Sequence, residues 1–281
     1  MMQTLNQEQI AAIFQKRQPN TYKGDYGRIL LLCGSRGYTG AAALSAMGAL
    51  RTGAGVVYLG VPSGVYDIVA TKLWEPVVLP LPDENGRFST ATADYILPML
   101  NRMDAVLIGP GLGVSQGVFH LVQTILKSCN KPVVLDADGI NVLSAHKDIL
   151  RDRCYPTIVT PHDGEFCRLG GQLTDNRMES AEALAKELQC IVLLKGHRTV
   201  ITDGISTYIN ETGNPGMATG GSGDVLAGII VSLLGQGLEP LLAAACGAWL
   251  HGSAGDLCAK EIGQYGMLPQ DMLNALPRLL P

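Results

Sequence analysis

The chain carries RILLLC at positions 28–33, followed by the turn GSRG at positions 34–37 and the segment GAAALSAMGAL at positions 40–50. After its first residue the RILLLC run is apolar at every position, which predicts a strand covered on both faces, as in parallel sheets. The small-residue segment after the glycine turn predicts a helix. Together they form the strand–turn–helix unit from which α/β proteins are built.

The same alternation continues along the chain. Strands are predicted at 56–61, 105–108, 132–135, 157–160 and 191–195, and helices at about 115–129, 178–189, 240–260 and directly after Asp224. Thr4 and Gln7 resemble a capping box that opens a helix ending near Lys16. A hairpin is expected between 198–203 and 206–210. Since no composition break marks a linker, we predict a single α/β domain over residues 1–281, with one doubly wound, mostly parallel central sheet and helices on both faces.

The composition is typical of a globular enzyme. Hydrophobic residues make up 47% of the chain and charged residues 16%, which argues against disorder. The net charge of −4 does not indicate nucleic acid or an anionic membrane as a partner, and an anionic substrate would need local positive potential. The seven cysteines contain no CxxC pair, the N-terminus does not resemble a signal peptide, and no apolar run reaches the length of a membrane span. We therefore expect a cytoplasmic protein with reduced thiols.

Loops rich in glycine or aspartate follow five of the predicted strands. They come after Cys33, Ile108, Leu135, Thr160 and Leu194. The carboxyl ends of parallel strands share one edge of the sheet, and ligands bind at that edge in open α/β sheets. The sequence therefore predicts a ligand site there.

The segment TGGSGD at positions 219–224, followed by the apolar run VLAGII, carries most of the chemical information. Glycines let backbone N–H groups approach a ligand, and the N-terminus of the following helix favours an anion. Asp224 would repel a phosphate that it faced, so we expect it to face a neighbouring hydroxyl as a proton acceptor. The alternative is an aspartate that stabilises the first turn of a helix.

Other candidate groups lie at the remaining strand ends. Lys195 opens the turn KGHRT (195–199), which either meets a nucleotide phosphate or is an ordinary polar turn; no classical P-loop motif is present. His162 is expected to form hydrogen bonds rather than to bind a metal, because no second histidine or cysteine accompanies it. Asp136 and Asp138 either orient Mg²⁺ through water or form a turn. Ser222 departs from the spacing of a nucleophile elbow.

Taken together, these segments resemble the ADP- or ATP-dependent NAD(P)H-hydrate dehydratases of the ribokinase-like superfamily. Kinases of that superfamily share chiefly the glycine-rich segment that ends in Asp224. The matching motifs span about residues 23–255 in the family's order: KGDYG (23–27), GS (34–35), YTGA (38–41), RTGAG (51–55), GPGLG (109–113), DAD (136–138), TPH (160–162), GE (164–165), LKG (194–196), GNPG (213–216) and GGSGD (220–224).

The resemblance implies a ribokinase-like fold and a metabolite-repair reaction. ADP or ATP phosphorylates the hydroxyl of a hydrated nicotinamide cofactor, (6S)-NADHX or (6S)-NADPHX, and loss of phosphate restores NADH or NADPH. Mg²⁺ would neutralise the nucleotide phosphates. No residue is predicted as a direct metal ligand.

The resemblance also assigns roles to individual residues. The catalytic group is Asp224 with the backbone of Gly221, Ser222 and Gly223. The nucleotide would be held by Lys195, Gly196, His197, Arg198, Thr199 and Gly223. The hydrate pocket would be lined by Ala41, Gly111, Gly113, His162 and Asp224.

Further expectations concern the wider organisation. Only about 22 residues precede the matching region, so the epimerase domain that some family members carry is expected on a separate chain, and this layout favours ADP as the donor. A homotetramer is expected because the family often forms one. The alternative function is a ribokinase-like kinase that phosphorylates a small alcohol such as a vitamin precursor. The preference between NADH-hydrate and NADPH-hydrate stays open.

Overall fold

A computed structural model describes residues 2–281. The strands are β1 Met2–Gln3, β2 Arg28–Leu32, β3 Val56–Pro62, β4 Val77–Leu81, β5 Asp83–Glu84, β6 Arg87–Phe88, β7 Ala105–Ile108, β8 Val133–Leu135, β9 Thr157–Val159, β10 Ile191–Leu194, β11 Thr199–Thr202 and β12 Thr207–Asn210. The helices are α1 Gln7–Ile13, α2 Thr39–Arg51, α3 Tyr66–Ala70, α4 Thr92–Leu100, α5 Gln116–Ser128, α6 Asp138–Asn141, α7 Asp148–Arg151, α8 Asp163–Arg168, α9 Arg177–Leu188, α10 Ser222–Gly235, α11 Pro240–Glu261 and α12 Pro269–Ala275. Short 3₁₀ turns lie at Lys23–Tyr26, Ser63–Val65, Pro215–Met217 and Leu276–Arg278.

Ten strands form one sheet in the order β1-β12-β11-β10-β9-β8-β7-β2-β3-β4. Neighbouring strands from β10 to β4 are parallel, whereas β11 runs antiparallel to both β10 and β12. Strands β2 to β4 extend the sheet in one direction and β7 to β10 in the other, so the topology reverses between β2 and β7. Leu32 and Ile108 are register partners at that point, and the loops that leave these strands open side by side. This is where open α/β sheets bind ligands.

Two apolar cores cover the two faces of the sheet. One contains buried residues of α2, α10 and α11, and the other contains those of α4, α5 and α9. Helix α10 is buried from Val225 to Leu234, since it lies between the sheet and its neighbouring helices. The mostly parallel sheet covered on both faces is confirmed. Among the helices of residues 2–281, none combines the length and the hydropathy that a bilayer span requires.

Most of the predicted elements are confirmed to within one or two residues, but the N-terminal capping box is not. Asn6, and not Thr4, caps α1: its side chain accepts from the N–H of Gln9 at 2.9 Å, and the Gln9 side chain accepts from the N–H of Asn6 at 2.9 Å. Helix α1 then ends at Ile13, before Lys16. The two candidate boxes overlap in sequence, and Asn is at least as good a cap as Thr.

Candidate active site

The first turn of α10 presents open backbone donors. Gly221, whose φ of +93° favours glycine, precedes the helix and lets the chain turn into it. Within residues 2–281, the N–H groups of Gly223 and Asp224 meet no protein acceptor. The resemblance assigns the backbone of Gly221, Ser222 and Gly223 to this site, but the N–H of Ser222 already donates to the carbonyl of Thr219 at 3.3 Å. The open donors of the helix itself are those of Gly223 and Asp224, and they can bind an anion.

A cavity of about 950 Å³ opens onto this turn. Its walls come from the β10–β11 turn, from the chain after β12, and from α10 and α11. The lining residues are 195–199, 210–215, 217–220, 222–223, His162, Leu226, Ala248, His251 and Gly252. All the residues predicted to hold the nucleotide line this one space, so the structure brings them together.

Lys195 is a half-buried cation in the wall of the cavity. Its Nζ lies 2.9 Å from Oδ1 of Asp136 and 3.7 Å from Oε2 of Glu165. Asp136 also accepts from the hydroxyl of Thr160 at 2.7 Å. Burial alone would lower the pKa of Lys195, but the two carboxylates outweigh burial and raise the pKa above its ordinary value. The lysine therefore stays charged and fixed at the edge of the cavity.

Asp224 lies beside this ion pair, at the third residue of α10. Burial raises its pKa to about 7, the Asp136 carboxylate adds to the rise, and Lys195 opposes it. The side chain does not itself line the large cavity. Its neighbour Gly223 shows that Asp224 and Lys195 are close, because a Cβ built on Gly223 would lie 3.5 Å from Nζ of Lys195. A carboxyl group with a pKa near 7 is suited to accept a proton at physiological pH.

Ser222 hydrogen-bonds to His251 of α11, with 3.2 Å between Oγ and Nε2. Burial lowers the pKa of His251 to about 4, so its imidazole is neutral at pH 7. His251 cannot be identified as a site residue from the sequence, because it is a single polar residue inside a long apolar helix, a pattern that most often marks an ordinary core position. Its location opposite the glycine-rich turn depends on how α10 and α11 pack.

His162 caps α8. Its Nδ1 accepts from the N–H of Gly164 at 3.0 Å, and its Nε2 lies 3.5 Å from Oε1 of Glu165. The side chain is mostly exposed and lines the cavity. Among the described residues, no group of three or more His, Cys, Asp or Glu side chains is arranged to hold a metal ion.

Ala41, Gly111 and Gly113 do not line the large cavity. They lie together at the neighbouring loops: a Cβ on Gly111 would be 2.8 Å from Cβ of Ala41. The N–H of Gly113 donates to Asp138 at 2.7 Å, and the Asp138 carboxylate is one of the charges that raise the pKa of Asp224. The residues predicted for the hydrate pocket are thus divided: His162 lines the nucleotide cavity, whereas Ala41, Gly111 and Gly113 lie outside it.

Comparisons with known proteins point to one family. A family model described as NAD(P)H-hydrate dehydratase matches residues 29–278. The bifunctional NAD(P)H-hydrate repair enzyme Nnr of Moorella thermoacetica is 46% identical over 272 residues, covering 94% of this chain and 51% of the relative. The chain therefore spans about half the length of the curated relatives it matches.

Two solved structures are similar over nearly their whole length. A ribokinase-like superfamily protein of Enterococcus faecalis superposes with a TM-score of 0.86 at 28% identity, covering 99% of this chain and 94% of that one. The ADP/ATP-dependent NAD(P)H-hydrate dehydratase of Bacillus subtilis, co-crystallised with ATP and Mg²⁺, superposes with a TM-score of 0.83 at 30% identity, covering 98% and 96%.

Proposed function

The chain belongs to the NAD(P)H-hydrate dehydratase family, and we propose that it is an ADP-dependent hydro-lyase that repairs (6S)-NADHX and (6S)-NADPHX. The hydroxyl of the hydrated ring attacks the β-phosphorus of ADP, and AMP leaves. The phosphate then leaves with the C–O electron pair while the adjacent ring carbon loses a proton, so the ring double bond of NADH or NADPH forms and inorganic phosphate is released.

One observation carries this proposal: Asp224, Lys195 and the free N–H groups lie together at the first turn of α10. Asp224 accepts the proton of the substrate hydroxyl. The amides of Gly223 and Asp224 stabilise the charge on the migrating phosphoryl group, and Lys195 neutralises the phosphates from the other side. These donors are fixed before the reaction begins, so little reorganisation is needed.

The cavity supports a nucleotide as the second substrate. Its volume of about 950 Å³ lies in the range of small-molecule and cofactor sites, and residues 195–199 line it beside the helix N-terminus. Mg²⁺ fits this site as a companion of the nucleotide: Mg²⁺ commonly keeps several waters and binds one or two carboxylates together with substrate phosphates. Glu211 lines the cavity, and Oδ2 of Asp136 lies 4.0 Å from a Cβ built on the lining residue Gly223; these carboxylates would hold the ion, which would supply charge neutralisation there.

The same family relationship leads us to infer a homotetramer that acts in the cytoplasm. All seven cysteines are free, which supports a reducing compartment. Light scattering of the purified chain tests the tetramer.

The direct test is incubation with (6S)-NADHX and either ADP or ATP, run side by side. Recovery of absorbance near 340 nm with equimolar phosphate release is the expected result, with ADP preferred. A stable phosphorylated alcohol in place of NADH would instead identify a kinase of the same superfamily and would contradict the proposal.

A further inference from the structure

Three basic side chains on the loops around Gly113, Gly86 and Thr39 have no role in the reaction described so far. Arg36, Lys72 and Arg87 are all exposed, and they come from three separate segments of the chain. None of them lines the nucleotide cavity, and Arg36 and Lys72 lie at the loop and the first residue of α2, the helix that carries Ala41. We call them the basic cluster.

Backbone and side-chain contacts hold the basic cluster against the predicted hydrate pocket. The N–H of Arg36 donates to the carbonyl of Gly86 at 2.9 Å, which fixes the loop after β2 on the β5–β6 turn. A Cβ built on Gly113 would lie only 2.8 Å from Nε of Arg87, so the guanidinium rests directly on this glycine. Lys72 donates to the hydroxyl of Thr39 at 3.0 Å.

None of the three cations forms an ion pair within 4 Å of a carboxylate in the described part of the chain. Two acidic residues are near in sequence. Asp83 is already occupied, because it accepts from the hydroxyl of Ser63 and from the N–H groups of Gly64 and Gly86. Glu84 is the register partner of Arg87 but does not pair with it. Three cations without an ion pair, grouped on neighbouring loops of a chain of net charge −4, form a local positive surface that can bind an anion.

We propose that Arg36 and Arg87, assisted by Lys72, bind a phosphate group of the hydrated dinucleotide. This rests on the proposed function, since it takes the ring hydroxyl to lie at Asp224. Gly113 connects the region of Asp224 with the basic cluster: its N–H donates to Asp138, which lies near Asp224, and the Arg87 side chain packs against its Cα. Guanidinium groups bind phosphate through paired N–H donors, which suits either the diphosphate or an adenosine 2′-phosphate.

The test is direct binding of NAD⁺ and NADP⁺ to the full chain by calorimetry, with Arg36→Gln, Arg87→Gln and the double variant. Each single substitution is expected to raise the Kd for NADP⁺ by about fivefold, and the double variant by more, because each removes one partly solvated phosphate contact. A larger loss for NADP⁺ than for NAD⁺ assigns the cluster to the 2′-phosphate, and equal losses assign it to the diphosphate. Both outcomes support the proposal.

Arg102→Gln is the matched control, because Arg102 is exposed and lies just before β7, at the opposite edge of the sheet. Unchanged affinity in the cluster variants, an equal loss in Arg102→Gln, or absence of dinucleotide binding by the unmodified chain would each overturn the proposal. Hydrate turnover with ADP, measured on the same preparations, separates the two claims. If NADP⁺ binding depends on the arginines but the hydrate is not turned over, the proposed reaction is wrong and the phosphate subsite stands. If the hydrate is turned over but binding does not depend on the arginines, the subsite is wrong and the proposed reaction stands.

Discussion

At the scale of single residues, the chemistry depends on how two charged groups are held. Asp224 is half-buried near Asp136, which raises its pKa, while Lys195 is fixed between Asp136 and Glu165 and stays protonated. Asp136 therefore has two effects: it anchors the cation, and it makes the neighbouring carboxylate more basic. The arrangement places a proton acceptor beside a fixed positive charge, as phosphoryl transfer to an alcohol requires.

The raised pKa of Asp224 predicts how stability depends on pH. The pKa moves from 3.8 in the unfolded chain to about 7 in the folded chain, so the folded state binds more protons between these values. This residue's contribution to stability is therefore fully present below pH 4 and is lost as pH rises through 7. We expect Asp224→Asn to melt at nearly the same temperature as the parent at pH 4 and several degrees higher at pH 8. Calorimetric melting across this range measures the gap, and a gap that stays constant with pH would contradict the assignment.

At the scale of elements, the position of Asp224 depends on the packing of α10 against α2. Helix α2 approaches so closely that a Cβ on Gly48 would lie 2.7 Å from the carbonyl oxygen of Val225. Small residues in both helices permit this contact, and the contact orients the first turn of α10 relative to the strand ends.

Gly48→Ala is therefore expected to destabilise the protein by about 1–3 kcal/mol, because the added methyl group meets backbone that cannot yield. Helix propensity alone would predict that Gly48→Ala stabilises the protein. Gly40→Ala is the control, since it lies in the same helix and its Cβ would meet nothing within 4 Å. Urea unfolding measures both variants, and a Gly48→Ala protein as stable as the control would argue against the close packing.

A second element-scale prediction concerns the anion site itself. Gly223 has no positive φ, and its Cβ would lie 3.5 Å from Nζ of Lys195, so a side chain there is compatible with the helix. The methyl groups of Gly223→Val extend into the space between the amides and the lysine. We expect about a tenfold weaker ADP affinity, with Gly223→Ala affected less and both melting points close to that of the parent. Unchanged ADP binding in the valine variant would show that the first turn of α10 does not bind the nucleotide.

At the scale of the whole molecule, the sheet topology brings residues from distant parts of the chain to one edge. The apolar strands and the loops that follow them could be predicted from sequence, because buried parallel strands and glycine-rich turns both leave local patterns. The edge strand β4 has no clear sequence signal, since its Pro80 argues against a strand although an edge position tolerates proline. The β5–β6 hairpin has only two residues in each strand, too few for a periodic signal.

The candidate site likewise contains features that the sequence predicts and features that it does not. The glycine-rich turn, Asp224 and Lys195 could be chosen from local sequence and from the family resemblance. The contacts that define their chemistry could not, because the pairing of Glu165 with Lys195 and of His251 with Ser222 arises from tertiary packing. The separation of His162, which lines the cavity, from Ala41, Gly111 and Gly113, which do not, is likewise a property of the folded sheet. It has no counterpart in residue spacing.

The measurement that tests the central claim most directly compares Asp224→Asn with the parent for two quantities: turnover of (6S)-NADHX with ADP, and equilibrium affinity for ADP. We predict that turnover falls by about 10² to 10⁴ because the proton acceptor is lost. The ADP affinity should stay nearly unchanged because the amides and Lys195 remain. Turnover close to that of the parent would contradict the assignment of Asp224 as the base.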